Sequence, residues 1–261
     1  MNRRHVAFAC EGATLIGTVD GADAATGLLL VTGGNELRSG AWGGQAELAA
    51  RIAAAGFPVF RFDRRGMGDS DGPPDDFRAS GPDIAAALAE FRRQCPALTR
   101  IIGFGNCDAA SALMLAGGAR LDGLVLSNPW TIESDDAPPP PAVLRGHYGR
   151  RLRDPAALMR VLGGKVSLRK LAASLRDALR PASPPSSLAQ DMAAGIADFT
   201  GPIAILLAER DRTAKAFQAA WNKSDGRIRV CANATHGFVE PQARAWLADQ
   251  VLAILRASPA S

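Results

Sequence analysis

The sequence predicts an α/β fold: a mainly parallel sheet of eight strands with helices on both faces. Three features carry that expectation. Short apolar runs alternate with alanine-rich or amphipathic stretches along most of the chain. Several of those runs are continuously apolar, as strands covered on both faces must be, and glycine or proline falls between them as punctuation. A length of 261 residues suits one domain spanning 1–261 better than two independent ones.

Residues 5–10 and 14–19 alternate as two strands around a turn at Glu11-Gly12. Residues 28–31 form a buried strand that feeds the tight loop Thr32-Gly33-Gly34. Residues 44–55 have helical periodicity and stop at Gly56, a natural C-terminal cap. A strand over 57–62 leads into a glycine-rich loop over 63–70, and a helix follows over 81–94. Next come a strand over 100–104, a sharp turn over 105–108, a helix over 109–116 and a strand over 121–126. The alternation resumes with a strand over 203–207, a helix near 214–221, a strand over 227–231 and a last helix over 241–256.

Between 128 and 201 the alternation breaks. The stretch contains Pro138-Pro139-Pro140-Pro141 and Pro184-Pro185-Ser186-Ser187, with amphipathic segments over 155–162 and 167–179. It reads as a helical insertion of about 70 residues, expected to form a lid or cap. Its place is over the carboxyl ends of the strands, where open α/β sheets bind ligands.

An apolar content of 47% and a charged content of 21% are ordinary for a packed soluble protein. The net charge is +4, but the basic residues are dispersed, and the densest cluster, 145–153, falls in the insertion. It reads as a solvated face, with an anionic substrate or surface as the alternative. No nucleic-acid motif accompanies it. Four distant cysteines without a CxxC pair argue against a zinc site and a dense disulfide framework. The N-terminus enters a strand-like segment without an apolar signal core, and no run of about 18 apolar residues occurs. A cytoplasmic protein with reduced thiols and no transmembrane segment is expected.

The chemistry centres on Gly105-Asn106-Cys107-Asp108-Ala109, set between an apolar strand and a helix. A nucleophile on a strained strand–turn–helix elbow needs small residues two positions to either side, which Gly105 and Ala109 supply. A thiol there meets a helix N-terminus, which favours thiolate. The pattern alone is weak, with a buried structural cysteine as its default reading, so its context decides. An acid and a histidine should follow in that order from strand-end loops. Asp211 and His236 do so, with Glu209 as the rival acid. The other histidines, His5 and His147, lie before the first strand and in the insertion. Oxyanion donors are expected from the Asp108 N–H and the Gly33-Gly34-Asn35 loop, with Gly34 favoured. The loop over 63–70 lacks the spacing of a nucleotide site, so no cofactor is expected, and Asp63 and Arg65 are expected to brace it by local charge pairing.

With these residues and Asp63-x-Arg65-Gly66-x-Gly68-x-Ser70 in place, the chain resembles the α/β-hydrolase superfamily over residues 4–255. Phe8-x-Cys10-Glu11-Gly12, Val31-x-Gly33-Gly34, the Cys107 elbow, Leu152-x-Asp154-Pro155 and Gly164-Lys165-Val166 look closer still to the exosortase A system-associated hydrolases of type 1. The resemblance implies a hydrolase-like protein with Cys107, Asp211 and His236 as its triad and leaves the substrate open. The expected reaction is hydrolysis of an ester, thioester or related small-molecule acyl substrate, lipid-like or anionic, through a covalent acyl-enzyme. An acyltransferase using the same triad and a catalytically silent ligand-binding scaffold are the alternatives.

Overall fold

The computed structural model describes residues 2–21, 23–133 and 187–257. The expected helices over 155–162 and 167–179 and the basic cluster over 145–153 lie outside the described residues.

Strands β1 (Asn2–Cys10), β2 (Ala13–Gly21), β3 (Thr26–Val31), β4 (Val59–Phe62), β5 (Arg100–Asn106), β6 (Gly123–Ser127), β7 (Ile203–Ala208) and β8 (Ile228–Cys231) form one eight-stranded sheet. Its order is β1-β2-β4-β3-β5-β6-β7-β8. The β1/β2 and β2/β4 pairs are antiparallel, and every pair from β4 across to β8 is parallel. Cys10 pairs with Ala13, so β1 and β2 are joined by Glu11-Gly12 alone. Both residues have positive φ, as the two-residue hairpin turn that follows strand twist requires.

Helices α1 (Gly44–Ala54) and α6 (Pro241–Arg256) cover one face of the sheet. Leu48, Ile52, Leu247 and Val251 pack there on Leu28, Leu30, Val125 and Leu206. The other face carries α2 (Gly81–Gln94), α3 (Asp108–Leu115), α4 (Ser187–Gly195) and α5 (Arg212–Ala220). Leu29, Val31, Leu126 and Ile205 meet Phe91, Leu113, Met192 and Phe217 on that side. Successive strand residues point to opposite faces, so two apolar layers explain why β3 and β6 read as continuous apolar runs. Fully burying each such side chain stabilises by about 1.5–3 kcal/mol.

Two details differ from the sequence reading. Helix α4 falls inside the expected insertion, yet Leu188 and Met192 belong to the same apolar layer as α3. Asp63 and Arg65 do not pair with each other. Buried Asp63 pairs with Arg38, whereas Arg65 bonds Asp83 at 2.8 Å and Glu11 at 3.0 Å. Partners distant in sequence hold the loop: Arg38 from the segment after β3, Asp83 from α2 and Glu11 from the β1–β2 turn.

Candidate active site

Cys107 stands between the end of β5 and the start of α3 at φ 63°, ψ −128°. That is strained backbone for a residue with a Cβ, held in place by its neighbours. A Cβ on Gly105 would lie 2.7 Å from backbone atoms of Ala109 and Ala110, so strand and helix approach this closely only because residue 105 has no side chain.

Asp211 follows β7 and caps α5, accepting the Ala214 N–H at 2.9 Å. Its Oδ2 also lies 3.0 Å from His236 Nδ1. Burial works against the charged carboxylate, but the hydrogen bond and charge of His236 outweigh it and hold the Asp211 carboxyl below its usual range. Hydrogen bonds to Asp211 and then to Cys107 push the His236 imidazolium up to about 10. The Nδ1 side of the ring is thus fixed on Asp211. The rival acid, Glu209, turns away and accepts the Asn233 N–H at 2.7 Å.

Asn128, buried at the end of β6, was read from the sequence only as the start of the insertion. Its side chain donates to Asn106 Oδ1 and to the His236 carbonyl, each at 3.1 Å, and accepts the Ala208 N–H at 2.8 Å. It thus ties the elbow, the acid-bearing strand and the histidine loop together. Asn106 Nδ2 lies 3.4 Å from His236 Nε2. A buried amide at a strand's carboxyl end, before Pro129, was the available signal.

The two expected oxyanion donors differ in state. The Asp108 N–H opens α3, where no preceding helical turn offers it a carbonyl. The Gly34 N–H, at a residue with φ 54°, donates at 2.6 Å to Asp108 Oδ1. Burial pushes the Asp108 carboxyl up, outweighing the Arg64 charge and hydrogen bonds from the Gly34 and Ala109 N–H groups.

Beside the elbow, a cleft of about 580 Å³, counting its open mouth, runs between α1 and α6. Trp42, Leu48, Phe104, Phe238 and Leu247 make its walls apolar, and Asn106 and Gly237, the chain neighbours of Cys107 and His236, also line it. Arg244 lies over the Trp42 ring and bonds Glu47 at 2.9 Å on the rim. Among the described residues no cluster of three His, Cys, Asp or Glu side chains could hold a metal, and no helix is long and apolar enough to cross a membrane.

The model of the alpha/beta hydrolase family matches residues 28–250. The chain is similar in fold to alpha/beta hydrolase GrgF from Penicillium sp. sh18, at TM-score 0.66 and 16% identity over 98% of both chains. It is likewise similar to the Pyrococcus furiosus esterase Pf2001, at TM-score 0.61 and 14% identity over 99% of this chain and 92% of that one. XC6422 from Xanthomonas campestris, described as an α/β serine hydrolase without lid, aligns at TM-score 0.61 and 15% identity over 99% of this chain and 98% of its own. No curated protein matches the chain.

Proposed function

Because the chain belongs to the alpha/beta hydrolase family, we propose that it hydrolyses an acyl ester or thioester with Cys107 as nucleophile, His236 as base and Asp211 as the orienting acid. The observation that carries this reading is the His236 imidazole held through Nδ1 by Asp211 at 3.0 Å, with Cys107 among the groups that push its pKa up. One of the structural neighbours is described as a serine hydrolase; here sulfur occupies the elbow.

His236 rests as the imidazolium that holds the proton given up by Cys107, and the sulfur attacks the substrate carbonyl carbon to form an S–C bond. Collapse of the tetrahedral intermediate breaks the bond to the leaving group, which receives the proton from His236. Water then gives a proton to His236 as it attacks the thioester, and the sulfur departs as the thiolate beside the restored imidazolium. The Asp108 N–H and, when free, the Gly34 N–H face the developing oxyanion. The apolar cleft between α1 and α6 suits an aliphatic or aromatic acyl group. Four free cysteines fit a reducing compartment such as the cytoplasm. The closer kinship with exosortase A system-associated hydrolases rests on the sequence motifs.

Iodoacetamide tests the thiol, with the other cysteines as internal controls. Burial pushes the Cys95 and Cys231 thiols up, and burial followed by the Asp83 hydrogen bond pushes Cys10 up to about 11. Alkylation at pH 7, mapped by peptide mass spectrometry, is expected at Cys107 first and at least about tenfold slower in His236→Ala. Equal Cys107 rates in both proteins contradict the base assignment.

A further inference from the structure

Asp108 enters the proposed reaction only through its backbone, yet its side chain takes the place beside Gly34 that a substrate oxygen needs. We propose that Asp108 is a specificity gate on the oxyanion site: its carboxylate must leave the Gly34 N–H before a carbonyl can be activated there, and Arg64 receives it. The inference rests on the reading of Cys107 as nucleophile.

The seat is built to hold the carboxylate. Oδ1 takes the Gly34 N–H at 2.6 Å. A Cβ on Gly33 would stand 2.5 Å from both Asp108 Oδ1 and the Asn106 carbonyl, so the side chain lies across the loop only because residue 33 is glycine. A backbone N–H carries one hydrogen. Sharing it between the carboxylate and an oxyanion would set two negative oxygens side by side, where like charges repel.

A destination also exists. Arg64 is buried, donating to the Gly34 carbonyl at 2.7 Å and to Ser80 Oγ at 2.9 Å. Its Nη2 lies 3.7 Å from Asp108 Oδ2, short of a hydrogen bond, and its Nε has no partner among the described residues. A small rotation of Asp108 converts that near approach into a charge-assisted hydrogen bond. Displacing the carboxylate draws on binding energy from parts of the substrate remote from the carbonyl. The gate therefore favours acyl groups that fill the cleft lined by Trp42, Leu48 and Phe238 over small ones.

The test compares acylation of Cys107 by p-nitrophenyl acetate with its alkylation by iodoacetamide, which needs no oxyanion site. Acylation forms the S–C bond, breaks the ester C–O bond and releases p-nitrophenolate. Losing one oxyanion donor costs about 10²–10³-fold. The acylation-to-alkylation ratio in Asp108→Ala is accordingly expected to rise at least about tenfold. Asp108→Asn retains an acceptor for the Gly34 N–H but not the charge, and its ratio should fall between those of the unmodified protein and Asp108→Ala. An unchanged or lower ratio in Asp108→Ala overturns the gate. If no protein in the series is alkylated or acylated at Cys107, the nucleophile reading fails and the gate with it. Should Asp108→Ala not fold, the unmodified protein carrying a trifluoromethyl ketone on Cys107 gives the answer by crystallography. An adduct oxygen on the Gly34 N–H with Asp108 turned to Arg64 supports the gate, and Asp108 still seated on Gly34 overturns it.

Discussion

His236 is the residue on which the site turns, and its titration makes the pairing measurable. Its imidazolium is held by Asp211 first and Cys107 second, with the pKa pushed up to about 10 from 6.5. A raised folded-state pKa means that this contribution to stability is full below about 6.5 and fades as pH climbs toward about 10. NMR of the ring is expected to find it protonated at pH 8, with titration falling toward the ordinary value in Asp211→Asn. A neutral ring at pH 8 in the unmodified protein contradicts the paired geometry. The sequence exposed His236 and Asp211 through their places after apolar strands, in the order an elbow nucleophile requires. It did not expose the link from Asn128 to β5, β7 and the histidine loop or the turn of Asp108 onto Gly34, because a side chain's direction is set only once the strands are packed.

At the scale of elements, the elbow depends on how closely β5 approaches α3. Gly105→Ala puts a Cβ within 2.7 Å of the helix backbone, which cannot swing aside as a side chain can. Urea unfolding is expected to register a loss of about 1–3 kcal/mol, typical of overpacking. Gly81→Ala is the control: a Cβ there meets nothing within 4 Å, and replacing a helical glycine should be neutral or stabilising by up to about 1 kcal/mol. Equal effects at the two positions contradict the steric account. The strands and helices around the elbow were legible because buried parallel strands are continuously apolar and glycine marks the ends. The part played by α4 was not, since its start follows a proline-rich stretch and its apolar face becomes evident only against Leu113 and Met114.

Across the whole molecule, the sheet is tied to the helix that closes the described residues. Arg100, at the start of β5, donates to the carbonyls of Ile254, Leu255 and Ala257 at 3.2, 3.1 and 2.8 Å. One guanidinium thus satisfies the open carbonyls at the end of α6 and holds that helix on the sheet. Arg100→Met is expected to lower stability by about 1–3 kcal/mol through those unsatisfied acceptors, measured by urea unfolding. Unaltered stability contradicts this role. The overall layering followed from the sequence, whereas contacts between residues separated by most of the chain's length did not, because nothing local marks Arg100 as the partner of the last helix. The order of the elements also brings the ends of β5, β7 and β8 to one rim, where three loops meet.

The central claim is that Cys107 carries the acyl group. Rapid mixing with p-nitrophenyl butyrate, acid quench and intact-protein mass spectrometry tests it most directly. The expected result is one butyryl group on Cys107, formed with a burst of p-nitrophenolate and absent in Cys107→Ala. Turnover that survives in Cys107→Ala, or an acyl group located on another side chain, contradicts the account.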